Sequence, residues 1–304
     1  MKIIFTLIFI CLAGFSFYFS RARFRRFKKK GTYWSIGYQS SSDPFKWDPA
    51  NATIYSPDQL PIDATSLADP FLFKHKDTLY LFHEIVLKSV AGGKIGVSVY
   101  DTDSRKWIFQ AIVLDEPFHL SYPYIFTHDS EIYMIPESKA SESVRLYRAT
   151  DFPLKWELEE IIIKDKKYVD PTICFWQNRF YLFVTRKRRL YLYHSESLTK
   201  GWQLHAKSPL KFWNHGRCGG RIFEHDNNLY RLAQEQAKGY GMGVHCYQIC
   251  ELSQTKFKEI YVGNKRILKP FGDGWAKKGM HHIDILKIND NNYFAVFDGR
   301  GTNT

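Results

Sequence analysis

The 304-residue sequence predicts an all-β fold: a five-bladed β-propeller over 32–304, closed by N-terminal strands and preceded by a hydrophobic membrane-anchor helix and basic cluster in 1–31. Three observations predict it. Aromatic residues make up 17% of the chain, with 24 Phe, 19 Tyr and 8 Trp, and such side chains suit pleated, half-buried strands. Tyrosines recur at Tyr80, Tyr133, Tyr181, Tyr230 and Tyr293 in strand-like apolar stretches, and eleven residues before each stands Asp69, Tyr122, Asp170, Gly219 or His282, opening another short strand. Beyond residue 30 no apolar stripe at helical spacing lasts three turns. A hydrophobic share of 44% with 24% charged residues excludes a disordered or collagenous chain.

The elements follow in chain order. Ile3 to Phe19 is an uncharged apolar run of 17 residues, at the short end of what spans a bilayer as a helix. It lacks the small-x-small site of a signal peptide, which points to an uncleaved single-pass anchor. Lys2, Arg21, Arg23, Arg25, Arg26, Lys28, Lys29 and Lys30, with no acid among them, supply eight of the twelve net positive charges. The remaining excess is mild, so nucleic acid is excluded as a partner. The basic cluster keeps its side of the membrane cytosolic by the positive-inside rule. The sequon Asn51-Ala52-Thr53 argues instead for a lumenal face.

Each repeat reads as four strands. Polar turns such as His75-Lys76-Asp77, His128-Asp129-Ser130, Trp176-Gln177-Asn178 and His225-Asp226-Asn227 join the first two. Third strands start near Ile95, Val144, Leu190 and Val244, and the fourth are marked by Trp107, Trp156, Trp202 and Phe257. Four strands in about 50 residues is a propeller blade. The fifth repeat has two strands before the chain stops, so Trp34-Ser-Ile-Gly-Tyr38 and Asp43-Pro-Phe-Lys-Trp47 are expected as its third and fourth, leaving no open sheet edge.

In such a ring the first strand of each blade lines the axis, so Asp69, Tyr122, Asp170, Gly219 and His282 gather at one mouth. A second column, four residues after each tyrosine, reads Glu84, Glu137, Thr185, Gln234 and Phe297, with Glu235 and Asp298 adjacent. Paired carboxylates in a pocket serve glycoside cleavage: one activates water while a protonated partner donates to the leaving oxygen. Asp-Pro at a strand start is also ordinary turn chemistry, and both readings stand. No metal or other cofactor is expected. His119, His215, His281 and His282 have no recognised ligand spacing, and adjacency on a strand would turn His281 and His282 to opposite faces. The five cysteines read as buried apolar groups. Gly239-Tyr-Gly-Met-Gly243 precedes a strand and lacks the helix N-terminus of a phosphate loop.

The layout, with Asp-Pro in blades one and three, resembles the family 43 and 62 glycoside hydrolases. The strings Ala68-Asp-Pro-Phe-Leu-Phe73, His119-Leu-Ser-Tyr-Pro123, Ile132-Tyr-Met-Ile-Pro-Glu-Ser138, Arg145-Leu-Tyr-Arg-Ala149 and Gly279-Met-His-His282 resemble the N-terminal domain of plant glucosamine inositolphosphorylceramide transferases. The hydrolase resemblance implies Asp69 as general base and Asp170 as the residue that tunes and orients. The expected blade-four acid is missing, because His215 to Arg221 contains no carboxylate; an acid would come from Glu137 or Glu235. Arg217 and Arg221 there suit an anionic ligand or hold neighbouring blades. The candidate site is therefore Asp69, Asp170 and Glu137 for catalysis, with Tyr122, His119, Arg217, Arg221, Glu84, Glu235 and His282 contacting substrate. The transferase resemblance implies a glycan or glycolipid partner, a glycosyltransferase associate and a Golgi-lumenal position, with the cytosolic face as the alternative. Catalysis and non-catalytic recognition both remain open.

Overall fold

The computed structural model describes residues 32–302 apart from 213, 238 and 264, so the anchor expected in 1–31 lies outside the described residues. Among the described residues no helix is long and apolar enough to cross a membrane, and the only helical turns are short 3-10 segments at Pro49–Asn51, Pro57–Gln59 and Lys139–Ser141.

The chain opens with β1 (Tyr33–Ser41) and β2 (Thr53–Tyr55). Blade one comprises β3 (Ala64–His75), β4 (Thr78–Leu87), β5 (Gly93–Asp101) and β6 (Lys106–Leu114). Blade two comprises β7 (Ser121–His128), β8 (Glu131–Glu137), β9 (Val144–Asp151) and β10 (Lys155–Ile163). Blade three comprises β11 (Val169–Trp176), β12 (Arg179–Arg186) and β13 (Arg189–Ser195), its outer edge shared by β14 (Gln203–Leu204) and β15 (Lys211–Phe212). Blade four comprises β16 (Phe223–His225), β17 (Asn228–Gln234), β18 (Val244–Leu252) and β19 (Phe257–Tyr261). In the fifth sheet, β20 (Ile283–Asn289) and β21 (Asn292–Gly301) pair onward to β1 and β2. The antiparallel β1–β21 ladder runs from Tyr33 opposite Gly301 to Ser41 opposite Tyr293.

The expected turns form as two-residue hairpin loops. Asp129 and Ser130, Gln177 and Asn178, and Asp226 and Asn227 all have positive φ, the geometry that matches the twist of the flanking strands. The outermost strand of the fifth sheet differs from expectation. Asp43 to Trp47 forms a turn, and β2 begins at Thr53. Trp47 Nε1 donates to the Pro44 carbonyl at 2.8 Å, as Trp156 Nε1 does to Pro153 at 2.9 Å. The two segments thus share a local lock, but Asp48-Pro49 then starts a 3-10 turn, capped by the Asp48 carboxylate on Ala50 N–H, which delays the strand.

Three inner strands carry the same irregularity. Asp69, Tyr122 and Asp170 have φ of 48°, 48° and 50°, and each is followed by proline. The ladder skips there: Ala68 faces Glu84 but Phe71 faces Phe82, Ser121 faces Glu137 but Tyr124 faces Ile135, and Val169 faces Thr185 but Thr172 faces Phe183. Two residues therefore stand opposite one, which is a β-bulge. The proline has no N–H to leave unpaired, and the left-handed residue before it has its side chain re-aimed out of the ladder.

Candidate functional site

The bulges deliver Asp69 and Asp170 to one buried cluster, and the facing strands add Glu84 and Glu137. Asp69, Glu137 and Asp170 are 5%, 7% and 0% exposed. Arg217, just ahead of blade four, grips Asp170 with two hydrogen bonds, one from Nε and one from Nη2 at 3.0 Å, and its Nη2 lies 3.8 Å from Glu137 Oε2. Gln234 Nε2 donates to the same Asp170 carboxylate at 2.9 Å and to the Cys218 carbonyl at 2.8 Å. Asp170 is thus held in place by partners from blade four and the segment just ahead of it.

Glu137, Glu84 and Asp69 are shifted upward. Burial, with the Asp170 charge beside it, pushes Glu137 well above the usual carboxylate range; burial and Asp69 do the same to Glu84. Burial also lifts Asp69 to about 7, with His281 pulling down and Asp298 and Asp170 pushing up. His281 Nδ1 contacts Asp298 Oδ2 at 2.5 Å, and Asp298 Oδ1 accepts from the backbone N–H of both His281 and His282. Against the cost of burial, the Asp298 carboxylate raises His281 and is itself lowered by it, so the two form a buried ion pair.

His281 and His282 do not face opposite ways. They precede β20 rather than lying on it, and Asp298 gathers both of their amides. His281 Nε2 and His282 Nδ1 each stand 3.8 Å from Asp69 Oδ1. His281 stacks on Trp34 with centroids 4.4 Å apart and meets the edge of Tyr240 at 4.7 Å. The glycine-rich segment around Tyr240 therefore serves to fold an aromatic over the cluster. His282 packs edge-on to Phe71 and Tyr122, and burial keeps it neutral, lowering it to about 4.

The remaining candidates divide. His119 Nδ1 accepts from Gly93 N–H at 2.8 Å, which leaves Nε2 directed at Glu84 Oε1, 3.7 Å away. Burial lowers its imidazole to about 4. Tyr122 is fully buried, with its hydroxyl bonded to Thr172, the Gly220 carbonyl and the Gly220 amide. Arg221 is engaged by Asp284 and by the carbonyls of Ile125 and Leu72. Both side chains tie blades together. Glu235 belongs to a separate group: its Oε2 lies 3.3 Å from His215 Nε2 and 3.0 Å from His245 Nε2. His281, Asp298, Gln234, Tyr240 and Trp34 join the site from outside the candidate set; in the sequence their signals are the places of Asp298 and Gln234 in or beside the second column and of His281 beside His282.

Chemically, the cluster brings together up-shifted carboxyls, the Asp170 side chain, a guanidinium and aromatic faces. Such a set can bond sugar hydroxyls as donor and acceptor while aromatic rings cover the apolar face of a pyranose or furanose.

Comparison with known proteins places this geometry. The family model described as glucosamine inositolphosphorylceramide transferase 1, N-terminal, matches residues 39–300. Glucosamine inositolphosphorylceramide transferase 1 of Oryza sativa subsp. japonica is 34% identical over 275 residues, covering 86% of this chain and 37% of the relative. The protein of the same name from Arabidopsis thaliana is 32% identical over 298 residues, covering 88% and 39%. The chain thus spans less than two-fifths of the curated relatives it matches. Among solved structures, the α-L-arabinofuranosidase of Podospora anserina in complex with cellotriose superposes with a TM-score of 0.59 at 11% identity, covering 88% of this chain and 98% of that one, a likeness of fold. The chain belongs to the family of the glucosamine inositolphosphorylceramide transferase 1 N-terminal domain.

Proposed function

We propose that the cluster around Asp69 and Asp170 recognises the saccharide part of a glycan or glycolipid and serves a glycosyltransferase without cleaving the sugar itself. One observation carries this reading: Arg217, in the segment where the hydrolase acid is missing, closes on Asp170 through two hydrogen bonds. An inverting hydrolase needs two carboxyls about 6.5–9.5 Å apart with water between them; here the segment that would supply the acid supplies a guanidinium instead, tied to the blade-three carboxylate. The names of the curated relatives support a glycolipid ligand. The apolar run Ile3 to Phe19 and the exposed Asn51 sequon support an anchored, Golgi-lumenal placement.

A second reading, hydrolysis with Asp69 as base and Glu137 as acid, draws on the raised Asp69 and Glu137 carboxyls. One experiment separates the two. Calorimetry with inositol-phosphate glycans and turnover of aryl arabinofuranosides and xylosides are measured on the wild type, Arg217→Ala and Asp69→Asn. Recognition predicts saturable binding that Arg217→Ala weakens at least about tenfold, roughly the 1.5–3 kcal/mol of a hydrogen bond to a charged group, and no turnover above background. Turnover that disappears in Asp69→Asn would establish hydrolysis instead.

A further inference from the structure

Apart from the acid cluster, blade four carries a second group of polar side chains with a different chemistry. His215 Nε2 and His245 Nε2 both point at one oxygen, Glu235 Oε2, from 3.3 and 3.0 Å. The two rings lie with centroids 4.0 Å apart, and the three ligand-type atoms all fall within 4.8 Å of one another. We propose that His215, His245 and Glu235 form a site for a divalent zinc-like cation with one coordination position open to solvent.

The spacing fits the ion. Ligand atoms about 2.0–2.1 Å from a tetrahedral zinc stand roughly 3.3 Å from each other, against 3.3 and 3.0 Å between Glu235 Oε2 and the two imidazoles. The rest of each ligand is already oriented. Glu235 Oε1 accepts from Ala237 N–H at 2.7 Å, leaving Oε2 for the ion. His215 Nδ1 lies 2.5 Å from the Tyr247 hydroxyl and His245 Nδ1 3.0 Å from the Tyr261 hydroxyl. With each Nδ1–H donating to its tyrosine, each Nε2 presents a lone pair, the arrangement that outer partners impose on metal-binding histidines. The His215 carbonyl is held at 3.0 Å by the buried Arg231.

Charge permits a cation. Arg231 and Lys211 are both answered by Glu259, at 2.7 and 2.6 Å, which leaves Arg266 as the cation bearing on His245. The side chains of His215, Glu235 and His245 are 25%, 14% and 10% exposed, so an ion can enter and an open position can face water. Sequence reading missed the set because its members sit at 215, 235 and 245, converging only when the β17–β18 hairpin meets the segment before blade four. That segment also carries Arg217, and Gln234 precedes Glu235; both bond Asp170. The cation would therefore clamp together the two strands of chain that supply the partners of Asp170.

Cobalt(II) titration of the full chain, stripped of metal by a chelator, tests the proposal. The expected result is one ion per chain with the visible bands of a four-coordinate cobalt site, displaced by zinc. His245→Ala and the near-isosteric Glu235→Gln should each weaken binding at least tenfold, while His281→Ala leaves it unchanged. Zinc should also raise Tm in the wild type but not in Glu235→Gln, which serves if the histidine variant does not fold. Absence of a stoichiometric site in the wild type, retention of full affinity in Glu235→Gln, or loss only in His281→Ala would overturn it.

Discussion

Asp69 is the residue at which site chemistry and stability oppose each other. Burial lifts its carboxyl from 3.8 to about 7 despite the nearby His281. Between those values the folded chain holds a proton that the unfolded chain has released, so stability falls as pH rises through that window and the cost is complete above it. Asp69→Asn removes the cost. The variant should melt above the wild type near pH 8 and converge with it near pH 4. The gap at the alkaline end is at most about 4 kcal/mol, the full equivalent of the shift. Thermal unfolding across that range checks it; a variant that melts lower near pH 8 would mean the ionised carboxylate is held favourably by its neighbours. The acids of this site were legible in the sequence because a repeat places chemically similar positions in one column. His281, Trp34 and Tyr240 were not, since none stands in either column and they meet only in the folded chain. Tyr122 shows the converse: column membership put it at the mouth, whereas its hydroxyl is taken up by Thr172 and Gly220.

At the level of the element, the blade hairpins and turns were legible because period-two patterning and two-residue polar turns are local. The bulges were not, because Asp-Pro and Tyr-Pro read equally as turns until the facing strand shows two residues opposite one. The same limit explains β2: Trp47 repeats the local lock of Trp156, but which segment pairs with β1 is decided across the sheet. Blade four replaces the bulge with Gly219 and Gly220. Gly220 has φ of 146°, and a Cβ there would stand 1.8 Å from the Ile283 carbonyl oxygen of the neighbouring blade. Both objects are backbone, so neither yields. Gly220→Ala should lower stability by at least about 3 kcal/mol. Gly263→Ala is the matched control, with φ of 72° and nothing within 4 Å, and should cost only the intrinsic left-handed penalty of about 1–2 kcal/mol. Urea midpoints of the two variants check the contrast; equal losses would mean the inter-blade approach is not rigid.

Across the whole molecule, the blades are joined at the axis by polar contacts as well as by apolar packing. Arg221 of blade four donates to Leu72 O in blade one and Ile125 O in blade two, both at 2.9 Å, and to Asp284 in blade five. Asp284, fully buried, also accepts from Leu72 N–H at 2.7 Å. Tyr122 carries blade two to Thr172 in blade three. One guanidinium therefore joins four blades at once, against a carboxylate that is fully buried. Breaking a buried pair by removing one partner leaves an uncompensated charge and costs about 3–5 kcal/mol, a large part of the roughly 5–15 kcal/mol that holds a domain folded. Arg221→Met should lose that amount with an unchanged denaturant slope, since the surface exposed on unfolding is the same. Adding Asp284→Asn removes the stranded charge while its amide oxygen still accepts from Leu72, so the double variant should recover at least about 1 kcal/mol of the loss. If the second substitution instead adds its own penalty in full, the two residues contribute independently and are not a coupled pair.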